Sequence, residues 1–240
     1  MTEKTNRKSD VDSWIEKSSA HQIKALEKAS KHFTSDDSLT VHTLEAIYGK
    51  ESSFGLNKRK RGMEGAAGDF QIEKKTAKRL GLTVSEKNDQ RFDVDDSAEA
   101  AAKYLKTLDN LFKKASNLGL GLRTIPIKDG NERKKFSIAS YNGGEGTIAL
   151  AQREAKKANA NSLKWDVVKG FIDDTGVSKS KSAEIREYVE KVLEYENEFS
   201  EKSQANKKRK DDEPSKLRVP QSEDGHWITK MFRRIFIAKK

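Results

Sequence analysis

Apolar and polar positions along this chain recur mostly with a helical period. From Asp12 to Phe33, Ile15, Ile23, Leu26 and Phe33 fall roughly on one face with Trp14 beside it, which predicts a first helix. A second is predicted from Leu39 to Glu51, with Val41, Leu44, Ile47 and Tyr48 as its stripe and any of Ser35, Asp36, Asp37 or Ser38 as its cap. Gly49 weakens that pattern, and Gly55 is a plausible stop. Residues 56–69, rich in charge and glycine, read as loop, and Phe70 to Leu80 as a helix ending at Gly81. Ser97 to Phe112 carries a strong helical signal, with Ala98, Ala101, Ala102, Leu105, Leu108 and Phe112 in period. Residues 116–135 look irregular, with a short hairpin expected around Asp129-Gly130. A short helix over Phe136–Tyr141 breaks at Asn142-Gly143-Gly144, and another runs from Glu145 to about Ala158. The last core helix spans Ala183 to Phe199, with Ile185, Tyr188, Val189, Val192 and Tyr195 on one side. Strand signals are weak, so the class is mainly α.

The same pattern divides the chain. Residues 1–37 form a partly helical N-terminal extension whose first ten residues are expected to be disordered; 38–199 form the main domain. Residues 200–225 lack apolar periodicity and read as a basic, solvated linker. Residues 226–240 are different: Trp227, Ile228, Met231, Phe232, Ile235 and Phe236 make an apolar face, and Lys230, Arg233, Arg234, Lys239 and Lys240 supply charge. This cationic amphipathic tail suits an anionic membrane or a partner protein, or folds back on the core.

Composition narrows the classes. Charged residues (36%) outnumber hydrophobic ones (34%), as expected of a compact core carrying polar segments. A net charge of +10 draws the chain to polyanions, whether nucleic acid, anionic membrane or the acidic polymers of a cell wall. Lys58-Arg59-Lys60-Arg61 and Lys207-Lys208-Arg209-Lys210 look like nucleic-acid patches, but no nucleic-acid-binding fold pattern accompanies them; they read as solvated loops, and no specific nucleic-acid partner is expected. The absence of cysteine excludes disulfides and thiol chemistry. No apolar run approaches the roughly 18 residues of a membrane span, and the polar N-terminus lacks a secretory signal.

Candidate chemistry starts at Glu51, which follows Tyr48 by three residues and Ile47 by four, on the face of the apolar stripe. Desolvation there would raise its pKa and suit it to protonate a glycosidic oxygen; from that helix alone, a carboxylate where the helix meets solvent is the favoured reading. Three further segments lie downstream: Gly65-Ala66-Ala67-Gly68-Asp69-Phe70-Gln71-Ile72, Ser140-Tyr141-Asn142-Gly143-Gly144-Glu145-Gly146, and Glu184-Ile185-Arg186-Glu187-Tyr188-Val189.

With Glu51-Ser52-Ser53-Phe54, these segments resemble the four ordered motifs of the lytic transglycosylases of glycoside hydrolase family 23: a Glu-Ser at a helix end, a Gly-Leu-Met-Gln or Gly-Leu-Trp-Gln segment, Ala-Tyr-Asn-Ala-Gly, and Glu-Thr-Arg-x-Tyr-Val. Thr76–Leu82 and Ala101–Leu105 share the flavour, which is nearest to the membrane-bound lytic murein transglycosylase D branch. The resemblance covers about residues 38–199. It implies a lysozyme-like fold (an SLT domain) and cleavage of the bond between N-acetylmuramic acid and N-acetylglucosamine, leaving 1,6-anhydro ends. Glu51 would be acid and then base. Ser52 would orient Glu51 or bind substrate, Phe70 would line the cleft, Gln71 would hydrogen-bond the sugar, and Tyr141, Asn142 and Tyr188 would face the substrate. No metal and no cofactor are implied. Alternatives are an inactive peptidoglycan-binding scaffold, a water-using muramidase and, further off, a nucleic-acid-binding protein. Asp69 stands where the family has Leu; a surface position is expected, and a position in the cleft would make it a second carboxylate. Action in the cell wall or periplasm without a signal implies a non-classical export route, phage delivery or a secretion-system effector.

Overall fold

A computed structural model describes residues 8–59 and 65–212. Thirteen regular elements fall in those residues: α1 (Asp10–Lys17), α2 (Ala20–Ala29), α3 (Val41–Ser52), β1 (Ala66–Ala67), β2 (Ile72–Glu73), α4 (Lys74–Arg79), α5 (Val94–Lys113), β3 (Asn117–Gly119), β4 (Leu122–Arg123), α6 (Gly130–Gly143), α7 (Glu145–Lys157), α8 (Trp165–Val168) and α9 (Lys179–Asp212). Short 3-10 turns at Ser30–His32, Gln90–Phe92 and Lys169–Thr175 join some of them. The mainly α expectation holds.

The core forms around α5. Ala98, Ala101, Ala102, Leu105, Leu108 and Phe112 are all fully buried, and the small alanines let α2 and α6 approach closely. Phe136 on α6 bridges Phe112 and Trp165, with ring centroids 5.5 and 5.6 Å away. Burial of each such ring contributes on the order of 2–3 kcal/mol.

Local chemistry explains where the elements begin. The predicted first helix splits in two because Ser19 and Gln22 form a reciprocal capping box that starts α2 afresh. Asp129-Gly130 is no hairpin: the Asp129 carboxylate accepts from the Asn131 and Glu132 amides and caps α6. The hairpin in that region is β3–β4, turning through Gly119, Leu120 and Gly121, all at positive φ. The helix predicted from Phe70 shrinks to α4, because residues 66–73 are a tight hairpin instead. Fully buried Arg91 holds that hairpin, donating to the Gly65 and Ile72 carbonyls at 2.7 and 3.1 Å while Asp89 neutralises it. Gly68 sits at φ +79 with its α-carbon face pressed on the Arg91 carbonyl, where any side chain would collide.

The chain divides into units 1–201 and 202–240. Within the second, the described residues 202–212 belong to the end of α9, which extends past the predicted stop at Phe199 into the segment expected to be linker. The amphipathic tail 226–240, residues 1–7 and 213–225 lie outside the described residues. Among the described residues, no helix is long and apolar enough to cross a membrane.

Candidate active site

Helix α3 ends in two consecutive non-glycine residues at positive φ, Ser53 (52°) and Phe54 (62°), a strained turn held from several sides. Phe54 is buried against Tyr48 and Phe199. Ser52 closes the helix end, accepting from the Gly55 amide at 2.9 Å and donating to the Tyr48 carbonyl at 3.2 Å. It is buried and does not line the cleft, so it serves the backbone rather than Glu51 or a substrate.

The strained turn leaves Glu51, in the last turn of α3, half-buried at the wall of a cleft of about 640 Å³. The Tyr188 hydroxyl, from α9, donates to Glu51 Oε1 at 2.6 Å. Tyr141, at the end of α6, lines the same cleft and donates to the Phe70 carbonyl at 3.0 Å. Burial, followed by the charge of Glu51, pushes both phenols well above the ordinary tyrosine value, so both hydroxyls stay protonated and able to donate.

Of the residues singled out in the sequence, Glu51, Gln71, Tyr141 and Asn142 line the cleft together, and Tyr188, buried and not lining it, touches Glu51 through its hydroxyl. Phe70 does not line it: the ring is fully buried and stacked on Tyr48 at 5.0 Å. Gln71 stands at φ +46 at the hairpin turn, where its amide group donates to the Arg59 and Gly68 carbonyls, each at 2.9 Å. Asn142 donates to Glu184 at 3.0 Å and accepts from Lys181 at 3.1 Å, while Lys181 and Glu184 pair at 2.9 Å. That triangle fixes the orientation of the Asn142 amide.

Asp69 is neither on the surface nor in the cleft. It is fully buried behind the hairpin, accepting from the Tyr48 hydroxyl at 2.8 Å and pairing with Lys58 at 2.7 Å. Burial pushes its carboxyl above the ordinary aspartate range, against the pull of Lys58 and Tyr48. Lys58, exposed on a loop as expected, thus still sends its ammonium to a buried carboxylate; Lys60 and Arg61 of the same run lie outside the described residues.

The cleft also holds residues that sequence reasoning missed. Arg79 lies 5.7 Å from the centroid of the Tyr104 ring and 3.7 Å from Glu145, and the Tyr104 hydroxyl donates to Glu145 at 3.4 Å. Both Arg79 and Tyr104 fall in the segments Thr76–Leu82 and Ala101–Leu105, whose family flavour was visible although no chemistry marked them.

A helical domain that brings a carboxyl from a helix end and tyrosines from distant helices to one open cleft is a lysozyme-like domain. The chain belongs to the Transglycosylase SLT domain family, whose profile matches residues 27–164. It is also similar to the Membrane-bound lytic murein transglycosylase F of Desulfosudis oleivorans (strain DSM 6200 / JCM 39069 / Hxd3), with 27% identity over 140 residues. That match spans 55% of this chain and 27% of the relative, which carries the F name rather than the D of the predicted branch. Glu51, Gln71, Tyr141 and Asn142 lie inside the family match, whereas Tyr188 lies beyond it.

Proposed function

We propose that this chain cleaves the glycan strands of peptidoglycan as a lytic transglycosylase, with Glu51 as the single acid and base. The observation that carries this reading is the 2.6 Å bond from the buried Tyr188 hydroxyl to the Glu51 carboxyl at the wall of an open cleft. Glu51 donates its proton to the oxygen joining N-acetylmuramic acid to N-acetylglucosamine, and the bond from that oxygen to the muramic anomeric carbon breaks. The substrate's own acetamido oxygen supports the cationic carbon. Glu51, now a carboxylate, removes the proton from the muramic 6-hydroxyl, and that oxygen closes on the anomeric carbon. The proton lost is recovered, no water is consumed, and the product is a 1,6-anhydro end.

The surrounding residues suit these steps. Tyr188 stays a donor, so it holds the carboxyl in one orientation and stabilises the charge that appears when the proton leaves. The amide NH2 of Gln71 is engaged by the backbone, so the group it offers a sugar is its carbonyl oxygen, a match for an acetamido N–H. Asn142, Arg79 and Tyr104 line the same cleft and so would meet neighbouring sugars or peptide stems.

The place of action is the cell wall or periplasm, where the substrate of this family lies. The mix of basic and apolar residues in the sequence 226–240 suits an anionic membrane surface next to the substrate. Deleting it should weaken retention on phosphatidylglycerol vesicles; unchanged retention rejects that role. No specific nucleic-acid target is proposed.

Digestion of purified peptidoglycan, with mass spectrometry of the products, tests the reading. The wild type should release anhydro-ended muropeptides and Glu51→Gln should release none. Reducing ends would instead mean hydrolysis by water.

A further inference from the structure

The turn that carries Gln71 is held by a buried polar chain that the proposed reaction does not use. Asp69, two residues before Gln71, is completely enclosed. One carboxylate oxygen receives the hydroxyl of Tyr48, which lies on α3 one helical turn before Glu51. The other pairs with the ammonium of Lys58, which also donates to the Phe92 carbonyl at 3.0 Å. Gln22, on α2, donates to the Tyr48 oxygen at 2.8 Å and to the Phe54 carbonyl at 3.1 Å. Space here is tight: a side chain at Gly55 would begin 2.3 Å from the Tyr48 oxygen and 3.1 Å from Asp69.

An apolar side chain of similar size could fill this site without bringing a charge out of water, and a buried ion pair is no reliable source of stability. What the carboxylate adds is direction. Tyr48 fixes it from the helix of Glu51, and Lys58 fixes it from the loop that follows that helix. The next residue of that loop, Arg59, supplies carbonyl contacts to both Gly68 and Gln71, at 3.2 and 2.9 Å.

Building on the proposed function, we propose that Asp69 is a positioning residue: with Lys58 it locks the 68–71 turn to α3 and so sets the distance between the sugar-binding Gln71 and the acid Glu51. It touches no substrate.

The test uses Asp69→Leu, Asp69→Asn and Lys58→Met. In the Glu51→Gln background, affinity for soluble, uncrosslinked glycan strands should fall about tenfold, the loss expected when one charge-assisted contact is misplaced. With Glu51 intact, KM should rise by about the same factor while kcat stays within about threefold. A merely structural role would lower the folded fraction, which reduces apparent kcat and leaves KM and affinity alone. If Asp69→Leu fails to fold, Lys58→Met decides, because Lys58 is one-third exposed and its loss empties no core site. Amide hydrogen exchange across residues 65–73 reads the lock without any glycan and should quicken about tenfold in each variant, in line with the same lost contact. Parental affinity and KM in folded Lys58→Met and Asp69→Asn, or unchanged exchange, overturns the proposal. Failure of the wild type to cleave or bind glycan, with exchange still quickened, sinks the functional reading alone and leaves the lock standing.

Discussion

The Tyr188 hydroxyl donates to the Glu51 carboxyl at 2.6 Å, and the two residues are 137 positions apart in sequence. Tyr188→Phe removes one oxygen and no packing surface, so it isolates the hydrogen bond. We expect kcat to fall about tenfold and stability by about 1 kcal/mol. Burial favours the neutral phenol in the folded state, so the stabilising contribution is full below pH 10.0, the ordinary value, and is lost as pH rises through the higher folded value. The alkaline limb of the pH–rate profile should therefore stay in place in Tyr188→Phe; a limb that moves would assign the titration to Tyr188. Glu51, Gln71, Tyr141 and Asn142, which line one cleft, and Tyr188, which bonds Glu51, could be singled out because each sits in a short motif whose neighbours are also distinctive. Ser52 and Phe70 sit in the same motifs, yet their side chains serve a helix end and the core. A motif records which residues a site needs, and both the ligand side and the supporting side of a turn are written into it.

Helix α3 shows why element boundaries followed less closely. Gly49 read as a flaw in an amphipathic pattern. In the fold it is the point where the Trp14 ring of α1 lies flat on α3, and a methyl group there would begin 2.2 Å from the ring. Gly49→Ala should cost about 1–3 kcal/mol by overpacking, measured by urea unfolding, and should loosen α1 rather than α3. Cost-free substitution would mean that Trp14 does not dock there. The long period of α5 was unmistakable because twenty residues carry it. The β1–β2 hairpin could not be read, because its two-residue strands have no period and are shaped by Arg91 from a distant segment. The same holds for α8 and the 3-10 turn after it, whose buried Trp165, Val168 and Ile172 fit no single template.

Across the whole molecule, a chain of +10 net charge keeps several ion pairs inside its core. Asp109 pairs with Arg133 at 2.7 Å with both nearly inaccessible, and Asp37, fully buried, pairs with Lys106. Burial alone would push the Asp37 carboxyl up, but the Lys106 ammonium and the Thr34 amide together bring it below the ordinary aspartate value. Asp37 thus adds stability that is present above its unfolded pKa and lost as pH falls through the folded value. Lys106→Met strands the carboxylate and should cost about 2–4 kcal/mol at pH 7, narrowing toward pH 4 as the carboxyl takes up a proton. A pH-independent cost would show that only packing was lost. The surplus positive charge acts at longer range: binding of Glu51→Gln to cell-wall sacculi should weaken several-fold from low salt to about 0.3 M, as a screened field predicts.

The bond between Glu51 and Tyr188 also sets a schedule. A ribosome delivers Glu51 early and Tyr188 more than a hundred residues later, so for much of synthesis Glu51 waits for the Tyr188 hydroxyl. At ordinary elongation rates the wait lasts some seconds. On the proposed reading the cutting site is therefore completed last, once α9 has been made, and a chain that stops before that helix should release no anhydro-ended muropeptides.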